Sequence, residues 1–271
     1  MNPDLSIIIL TWNTAEITKK CVSTVEKYLK NKINYEIIVA DNGSTDNTAE
    51  VFKNMDSIRY IKHDINYGFA KGNNLATKHA RGKYLLFLNS DMELIDDSLV
   101  KMYNFFEKNP SIAAIGPKFL NPDLTPQASI FPPQTIKNAI KEFFFQIPSY
   151  SKYLPKDDTP TSVWAISGGT LLIKEKTFRQ INGWNEKYFF YYEDLDLCRQ
   201  LNRLGQKIYY FPQASVIHHH GASGRSLADE SNQWKRLIPG SKKFYGIPKH
   251  YLINLIIWSG QKWQKIKKIF G

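Results

Sequence analysis

The chain has 271 residues, 42% of them hydrophobic and 23% charged, which excludes a disordered or fibrous protein and leaves room for one large α/β domain with a substantial core. Its formal net charge of +11 is uneven: residues 235–271 contain no Asp or Glu but hold Lys235, Arg236, Lys242, Lys243, Lys249, Lys262, Lys265, Lys267 and Lys268, so this end attracts phospholipid headgroups, nucleic acid or an acidic partner. The two isolated cysteines, Cys21 and Cys198, exclude a disulfide framework and a zinc spacing, and they fit a reducing compartment.

Residues 1–6 carry no charged segment ahead of an apolar run, which argues against a secretory signal. Residues 5–10 are a continuous apolar run that stops at Thr11-Trp12-Asn13, a buried strand ending in a polar loop. Residues 15–30 place Ile17, Cys21, Val22, Val25 and Leu29 at helical spacing. A second strand over 36–40 runs into the turn Asp41-Asn42-Gly43-Ser44. Residues 45–53 read as a helix, 58–61 as a strand, 70–80 as a helix and 84–88 as a fourth strand that stops at Asn89-Ser90-Asp91. This rhythm predicts a parallel, doubly wound sheet.

Another strand is predicted over 112–119. Residues 121–162 hold seven of the thirteen prolines and read as a long, partly mobile excursion. Ser167-Gly168-Gly169 leads into a strand over 170–174, a helix over 195–204 ends at Gly205, and two short strands follow over 207–211 and 215–218. The remainder is basic and helical or irregular. Its longest apolar run, 251–258, is far short of the ~20 residues that span a bilayer, so a cytoplasmic protein, or one lying on a membrane without crossing it, is expected.

Thr11 and Asn13, Asp41 and Asn42, and Asn89 and Asp91 follow three consecutive parallel strands. Any one set could be a turn or a cap; three in order point to a ligand crevice outside the strand ends. No phosphate-binding loop of the G-x-x-x-x-G-K-[ST] type and no G-x-G-x-x-G at the first helix is present, which disfavours P-loop and dinucleotide enzymes. Asp91 offers a carboxylate to Mg²⁺ or Mn²⁺, cations that often bind one or two carboxylates plus substrate phosphates. Glu193, Asp194 and Asp196 start a helix after Tyr188-Phe189-Phe190-Tyr191-Tyr192. A helix dipole accounts for one or two acids there; aromatic walls beside them could hold a sugar and desolvate a general base. His218, His219 and His220 end a strand, with 218 and 220 on one side and 219 on the other. A polar loop or one metal-ligating His fits better than zinc, whose usual partners are missing.

At this point the motifs resemble the family 2 inverting glycosyltransferases, and within them the bacterial rhamnosyltransferase-like branch that builds cell-surface polysaccharide. The resemblance covers roughly residues 4–224. It rests on Ser6-Ile-Ile-Ile-Leu-Thr-Trp-Asn13, Val39-Ala-Asp-Asn-Gly-Ser-Thr-Asp46, Asn66-Tyr-Gly-Phe-Ala-Lys-Gly-Asn-Asn74, Leu88-Asn-Ser-Asp91, Ser167-Gly-Gly169, Tyr192-Glu-Asp-Leu-Asp-Leu-Cys-Arg199 and Ala214-Ser-Val-Ile-His218, with Gly221 and Ser223. It implies a GT-A (Rossmann-like) fold: a mixed, mostly parallel central sheet flanked by helices.

The same resemblance implies roles. Thr11, Asn13, Asp41, Asn42, Ser44, Gly68, Phe69, Asn73, Asn89 and Ser90 would bind the donor, with Ala70 and Asn74 nearby and Asp41 on the pyrimidine. Gly168, Gly169, Trp164 and Tyr192 would face the acceptor. Asp194 would be the base, oriented by Glu193. Asp91 and His218 would hold the metal. The family's metal motif is often Asp-x-Asp, and here its first position is Asn89, so the metal would lean on Asp91, the diphosphate and His218.

The expected organisation is a glycosyltransferase domain over 1–225, with a nucleotide-binding half over 1–118 and an acceptor-binding half over 119–225. A basic helical C-terminal extension follows over 226–271. Its lysines and tryptophans suit an interfacial helix on anionic lipid at the inner face of the plasma membrane; docking on the protein's own surface or a homodimer contact are the alternatives. The implied partners are a nucleotide-sugar donor (dTDP-rhamnose or a UDP-sugar) and a saccharide acceptor, expected to be polyprenyl-diphosphate-linked. Nucleic acid is not expected, because no nucleic-acid fold accompanies the charge. A catalytically silent sugar-binding module at a membrane is the alternative function. A nucleotidyltransferase would need a Gly-rich basic loop where Thr11-Trp12-Asn13-Thr14 stands.

Overall fold

The three apolar runs at 5–10, 36–40 and 84–88 form strands because Ile, Val and Leu fill both faces of a buried parallel sheet, while Arg59–Lys62 is a half-exposed edge strand. The structure is a computed structural model and describes residues 2–219 and 233–270. β1 (Leu5–Thr11), β2 (Tyr35–Asp41), β3 (Arg59–Lys62) and β4 (Tyr84–Leu88) are parallel, joined through α1 (Ala15–Leu29), α2 (Thr48–Phe52) and α3 (Gly68–Thr77). β5 (Met92–Leu94), α4 (Ser98–Lys108) and β6 (Ile112–Leu120) follow. β11 (Thr170–Lys174) lies antiparallel between β4 and β6, and β12 (Lys207–His218) runs parallel to β6. The order is β3-β2-β1-β4-β11-β6-β12-β5. Strands β3, β2, β1, β4, β6 and β12 therefore share one direction, and the sheet is mixed and mostly parallel, as expected.

Side-chain alternation splits the core into two layers. Ile7, Ile9, Ile37 and Val39 pack with Cys21, Val22 and Val25 of α1 and with Met102 and Phe106 of α4. On the other face Ile8, Ile38 and Phe87 pack with Phe69 and Ala70 of α3 and with Leu197 and Leu201 of α7 (Glu193–Arg203). Burial pushes the Cys198 thiol up to about 12 and Cys21 in the same direction, so both behave as core residues.

Two expectations are corrected. Residues 121–162 are not an irregular excursion: they hold β7 (Pro126–Gln127), β8 (Ile130–Phe131), α5 (Ile136–Phe145) and β9 (Thr161–Ser162), with β10 (Ala165–Ile166) next. The prolines flank α5 rather than break it, and Thr135 Oγ1 caps it by accepting from the Asn138 N–H at 3.1 Å. Residues 207–211 and 215–218 are one strand, β12, whose register against β6 shifts between Phe211 and Ser215.

After α6 (Glu175–Gln180) and α7, the chain ends in α8 (Gln233–Tyr245) and α9 (Ile247–Phe270). Helix α9 buries His250, Ile253, Ile256 and Gly260 along one face. A Cβ on Gly260 would lie 2.6 Å from Phe143 Cβ, so the absent side chain lets α9 approach α5 closely. Gln264 Nε2 donates to the carbonyls of Phe144 (2.8 Å) and Phe143 (3.4 Å) at the end of α5. Among the described residues no helix is long and apolar enough to cross a membrane. Gly221, Ser223 and His220 lie outside the described residues, as does the start of the 226–271 extension.

Candidate active site

The carboxyl ends of β1, β2 and β4 converge. Thr11 and Asp41 are register partners, and the Asn42 N–H donates to Thr11 O at 2.8 Å. Asn13 adopts a left-handed φ of 53°, a conformation Asn tolerates. There its Oδ1 accepts from the Thr45 N–H at 2.8 Å, and its own N–H donates to Ser44 Oγ at 2.9 Å. Asn42 Nδ2 donates to Asn66 Oδ1 (2.9 Å) and Gly68 O (3.2 Å), and its Oδ1 accepts from the Tyr67 N–H. These bonds knit the loops after β1, β2 and β3 into one rim.

That rim borders an open cleft lined by Thr11, Asn42, Gly68, Phe69, Asn89 and Ser90, together with Trp12, Phe189, Phe190 and Arg236. Gly68 has φ +78°, and a Cβ there would stand 2.3 Å from Phe189 O. Glycine at this position lets the Phe69 N–H donate to Phe189 O at 2.7 Å, which ties the start of α3 to the aromatic stretch. Arg236 of α8 sits over the Phe190 ring at 5.6 Å. Its part in the cleft was hidden in the sequence, where it reads as one basic residue among nine. Among the described residues it brings a permanent cation from the far end of the chain to a cleft otherwise lined by amides, hydroxyls and rings.

Four expected donor residues stand back from this cleft. Asp41 is fully buried, and both its oxygens are engaged: Oδ1 accepts from the Ser44 N–H at 2.7 Å and Oδ2 from the Tyr60 hydroxyl at 2.6 Å. Asn13 and Ser44 brace the loops. Asn73 is buried in α3 and donates to Phe69 O at 3.0 Å.

Asp91 follows Ser90 in the chain but, like His218, is not part of the cleft lining; the two meet largely buried, with Asp91 Oδ1 and His218 Nε2 3.7 Å apart. That is too long for a hydrogen bond. The imidazole tautomer is fixed from behind. Asn121 Oδ1 accepts from Gln127 Nε2 at 2.8 Å, which turns Gln127 Oε1 toward His218 Nδ1 at 2.6 Å. His218 Nδ1–H then donates and Nε2 faces Asp91, the orientation of imidazole ligands held by an outer partner. One carboxylate plus one imidazole suits a divalent cation completed by phosphate oxygens. Among the described residues no set of three His, Cys, Asp or Glu stands close enough to hold a metal unaided. His219 points away and pairs with Glu93 at 2.7 Å.

A second cleft, about 1230 Å³ and open to solvent, is lined by Asp194 and Glu193, by Tyr191, Tyr192 and Leu237, and by Phe131, Tyr150 and Lys152. Tyr191 and Tyr192 have φ of 71° and 72°, uncommon for bulky residues and typical of functional turns. This double left-handed turn starts α7 and presents its first two acids. Burial lifts the Asp194 carboxyl above the ordinary range, against the charge of Lys152 and N–H bonds from Gly168 (3.2 Å) and Leu195 (2.8 Å). Burial, then the Asp194 charge, raises Glu193 much further, and no group among the described residues bonds its Oε2. Of the pair, Glu193 is the one whose proton burial and the neighbouring carboxylate hold more strongly. Asp196 is structural: it pairs with Arg199 and accepts from Asn185 Nδ2 at 3.0 Å.

Gly168 lies close to one residue from each cleft: a Cβ there would lie 3.3 Å from Asp194 Cβ and 3.6 Å from Phe69 Cζ, so the missing side chain lets both approach. Gly169 likewise admits Met92, whose Cε would be 2.6 Å from a Cβ. Trp164, expected on the acceptor side, instead packs against the core beside α7, its carbonyl accepting from Asn202 Nδ2 at 2.8 Å.

Comparison with known proteins bears on family and fold. Residues 6–181 match the family model described as glycosyl transferase family 2, and residues 149–221 match one described as the N-terminal domain of galactosyltransferase. The chain is 25% identical over 241 residues to rhamnosyltransferase WbbL of Escherichia coli K12, covering 84% of this chain and 88% of that protein. It is 24% identical over 252 residues to the N-acetylglucosaminyl-diphospho-decaprenol L-rhamnosyltransferase of Mycobacterium tuberculosis, covering 84% and 80%. The crystal structure of GalNAc-T7 with UDP, GalNAc and Mn²⁺ superposes with a TM-score of 0.61 at 16% identity, over 80% of this chain and 44% of that one, which shows a shared fold.

Proposed function

Because the chain belongs to glycosyl transferase family 2, to its rhamnosyltransferase-like branch and to the GT-A fold, we propose that it inverts the anomeric centre while moving a sugar from a nucleoside diphosphate to a saccharide hydroxyl. The observation that carries this reading is the position of Asp194. It lines the larger cleft, and its Cβ and the Phe69 ring on the wall of the smaller one would both lie within 3.6 Å of a Cβ on Gly168. The nucleotide sugar occupies the cleft lined by Thr11, Asn42 and Phe69. The acceptor occupies the cleft beneath Tyr192.

Asp194 takes the proton from the acceptor hydroxyl as its oxygen bonds to the anomeric carbon. The bond to the nucleoside diphosphate breaks on the opposite face, so one displacement inverts the centre and no covalent intermediate forms. Glu193, protonated, adds no second negative charge beside the base. Arg236 and the amides of the smaller cleft receive the negative charge that grows on the leaving group. Asp91 and His218 would hold Mg²⁺ or Mn²⁺, which when bound supplies further charge neutralisation at the diphosphate.

The acceptor in this reading is lipid-linked, in cell-surface glycan synthesis, and the enzyme is peripheral on the cytoplasmic face of the membrane, with helix α9 turned to it. The named substrate of the mycobacterial relative supports that choice. The test is a panel of dTDP- and UDP-sugars, with and without Mn²⁺. One donor should raise the melting temperature, since it binds the folded state alone, and should release nucleoside diphosphate. A donor that stabilises the protein yet is neither hydrolysed nor transferred to any acceptor would identify a silent binding module instead.

A further inference from the structure

A third cavity lies between α5 and α9, about 1350 Å³ and open to solvent, and its walls include Phe143, Ser151, Lys152, Trp258, Lys262 and Lys265. Phe143, Ser151 and Lys152 also line the cleft that contains Asp194, so the two spaces share a wall. Lys152 stands at the junction. Its ammonium lies 4.8 Å above the Phe131 ring, and its charge reaches Asp194. One acid lines the groove, Glu142, and its carboxylate is already taken by the N–H groups of Ser149 (2.8 Å), Tyr150 (2.7 Å) and Ser151 and by the Ser151 hydroxyl. Lys152, Lys262 and Lys265 outnumber that single acid, so among the described residues the groove is net cationic.

The rim is apolar. Helix α9 buries one stripe against α5 and leaves a second exposed: Leu255 is 58% accessible, Trp258 59%, Trp263 45% and Ile266 48%. Phe145 and Ile147 at the end of α5 extend this surface at 68% and 52%. A monomeric soluble protein rarely leaves such a contiguous apolar patch uncovered, and tryptophans interleaved with lysines suit the headgroup layer of a membrane.

We propose that the α5–α9 groove is a binding site for the diphosphate of a lipid-anchored acceptor, with Lys152, Lys262 and Lys265 on the phosphates and the apolar rim set into the headgroup layer. The inference rests on the acceptor reading above and adds its anchoring site. The geometry orders the ligand along one path: sugar hydroxyl at Asp194, diphosphate at Lys152 and beyond, lipid chain across Trp258 and Leu255. A membrane surface with no such ligand would engage the lysines of α9 without preference. The groove instead singles out two of them.

The experiment is a binding titration of farnesyl diphosphate against the intact protein, read by tryptophan fluorescence and by calorimetry. Lys262→Glu/Lys265→Glu should weaken binding about tenfold or more. Lys267→Glu/Lys268→Glu, the same charge change on the same helix outside the groove, should shift it by less than about twofold. All four lysines are exposed, so unchanged melting curves would confirm that both variants fold. Equal losses in the two variants, or binding of inorganic pyrophosphate or of farnesol as tight as that of farnesyl diphosphate, would overturn the proposal. So would a stable dimer that Trp258→Ser dissociates, coupled with no binding of the probe. Release of nucleoside diphosphate from donors is measured on the intact protein separately. Groove binding with no such release keeps the site and removes the glycosyltransferase reading; release with no groove binding does the reverse.

Discussion

The cleft around Thr11 and the cleft around Asp194 are built by different means. The first takes most of its wall from loops that follow consecutive parallel strands, and amide-to-backbone bonds from Asn13 and Asn42 hold it. The second is assembled from segments near residues 131, 150, 192 and 237, held by two left-handed tyrosines and by packed aromatic rings. The first is a property of the sheet edge. The second exists only once α5, α7 and α8 have met. Binding and chemistry should therefore separate cleanly under mutation.

The sharpest break is Asp194→Asn. It should lower kcat by about 10²–10⁴ while leaving the donor-induced thermal shift in place, and near-normal turnover would remove Asp194 as the base. Next is Gln127→Leu, which touches neither cleft but frees the His218 tautomer. Activity titrated with Mn²⁺ should need roughly 10–100 times more metal, and an unchanged titration would remove His218 from the metal site. Arg236→Ala should raise the donor KM about tenfold, the scale of a hydrogen bond to a charged group, with less effect on the acceptor KM. The smallest effect is expected from Glu193→Gln, which copies the protonated acid and should keep kcat within about threefold.

The pH profile discriminates further. The base acts ionised, and burial raises its pKa. Activity must therefore rise with pH through a midpoint above the ordinary carboxylate range. A limb at or below that range would mean that Asp194 is hydrated and ionised throughout.

The contrast between the clefts also marks how far the sequence could be read. Residues 5–10, 36–40 and 84–88 announce their strands because apolar runs bounded by polar turns have few alternatives, and the polar residues at their ends fall near one rim. The acid cluster at 193–196 was visible as a cluster, but only packing separates Asp194 from Asp196, which Arg199 and Asn185 occupy. Helix α5 went unread because prolines crowd its flanks; the cap at Thr135, three residues before Asn138, was the available signal. Lys152, Arg236 and Leu237 reach the clefts from distant segments, and no local period reports such contacts. Asp41 shows the reverse: its motif suggests direct ligand contact, yet Tyr60 and Ser44 hold both oxygens.

Helix α8 presses on the turn that presents the base. A Cβ on Gly240 would lie 2.6 Å from Tyr191 O, and the Tyr192 ring packs at a tilt of 42° against Phe244, centroids 5.5 Å apart. Two adjacent left-handed tyrosines cost free energy, and such a turn persists only when its surroundings over-determine it. For anyone building chimaeras to change acceptor choice, the unit of exchange is therefore discontinuous. The segment 189–194 must travel with 233–245, because a donor helix carrying anything larger than glycine at position 240 would evict the turn that aims Asp194.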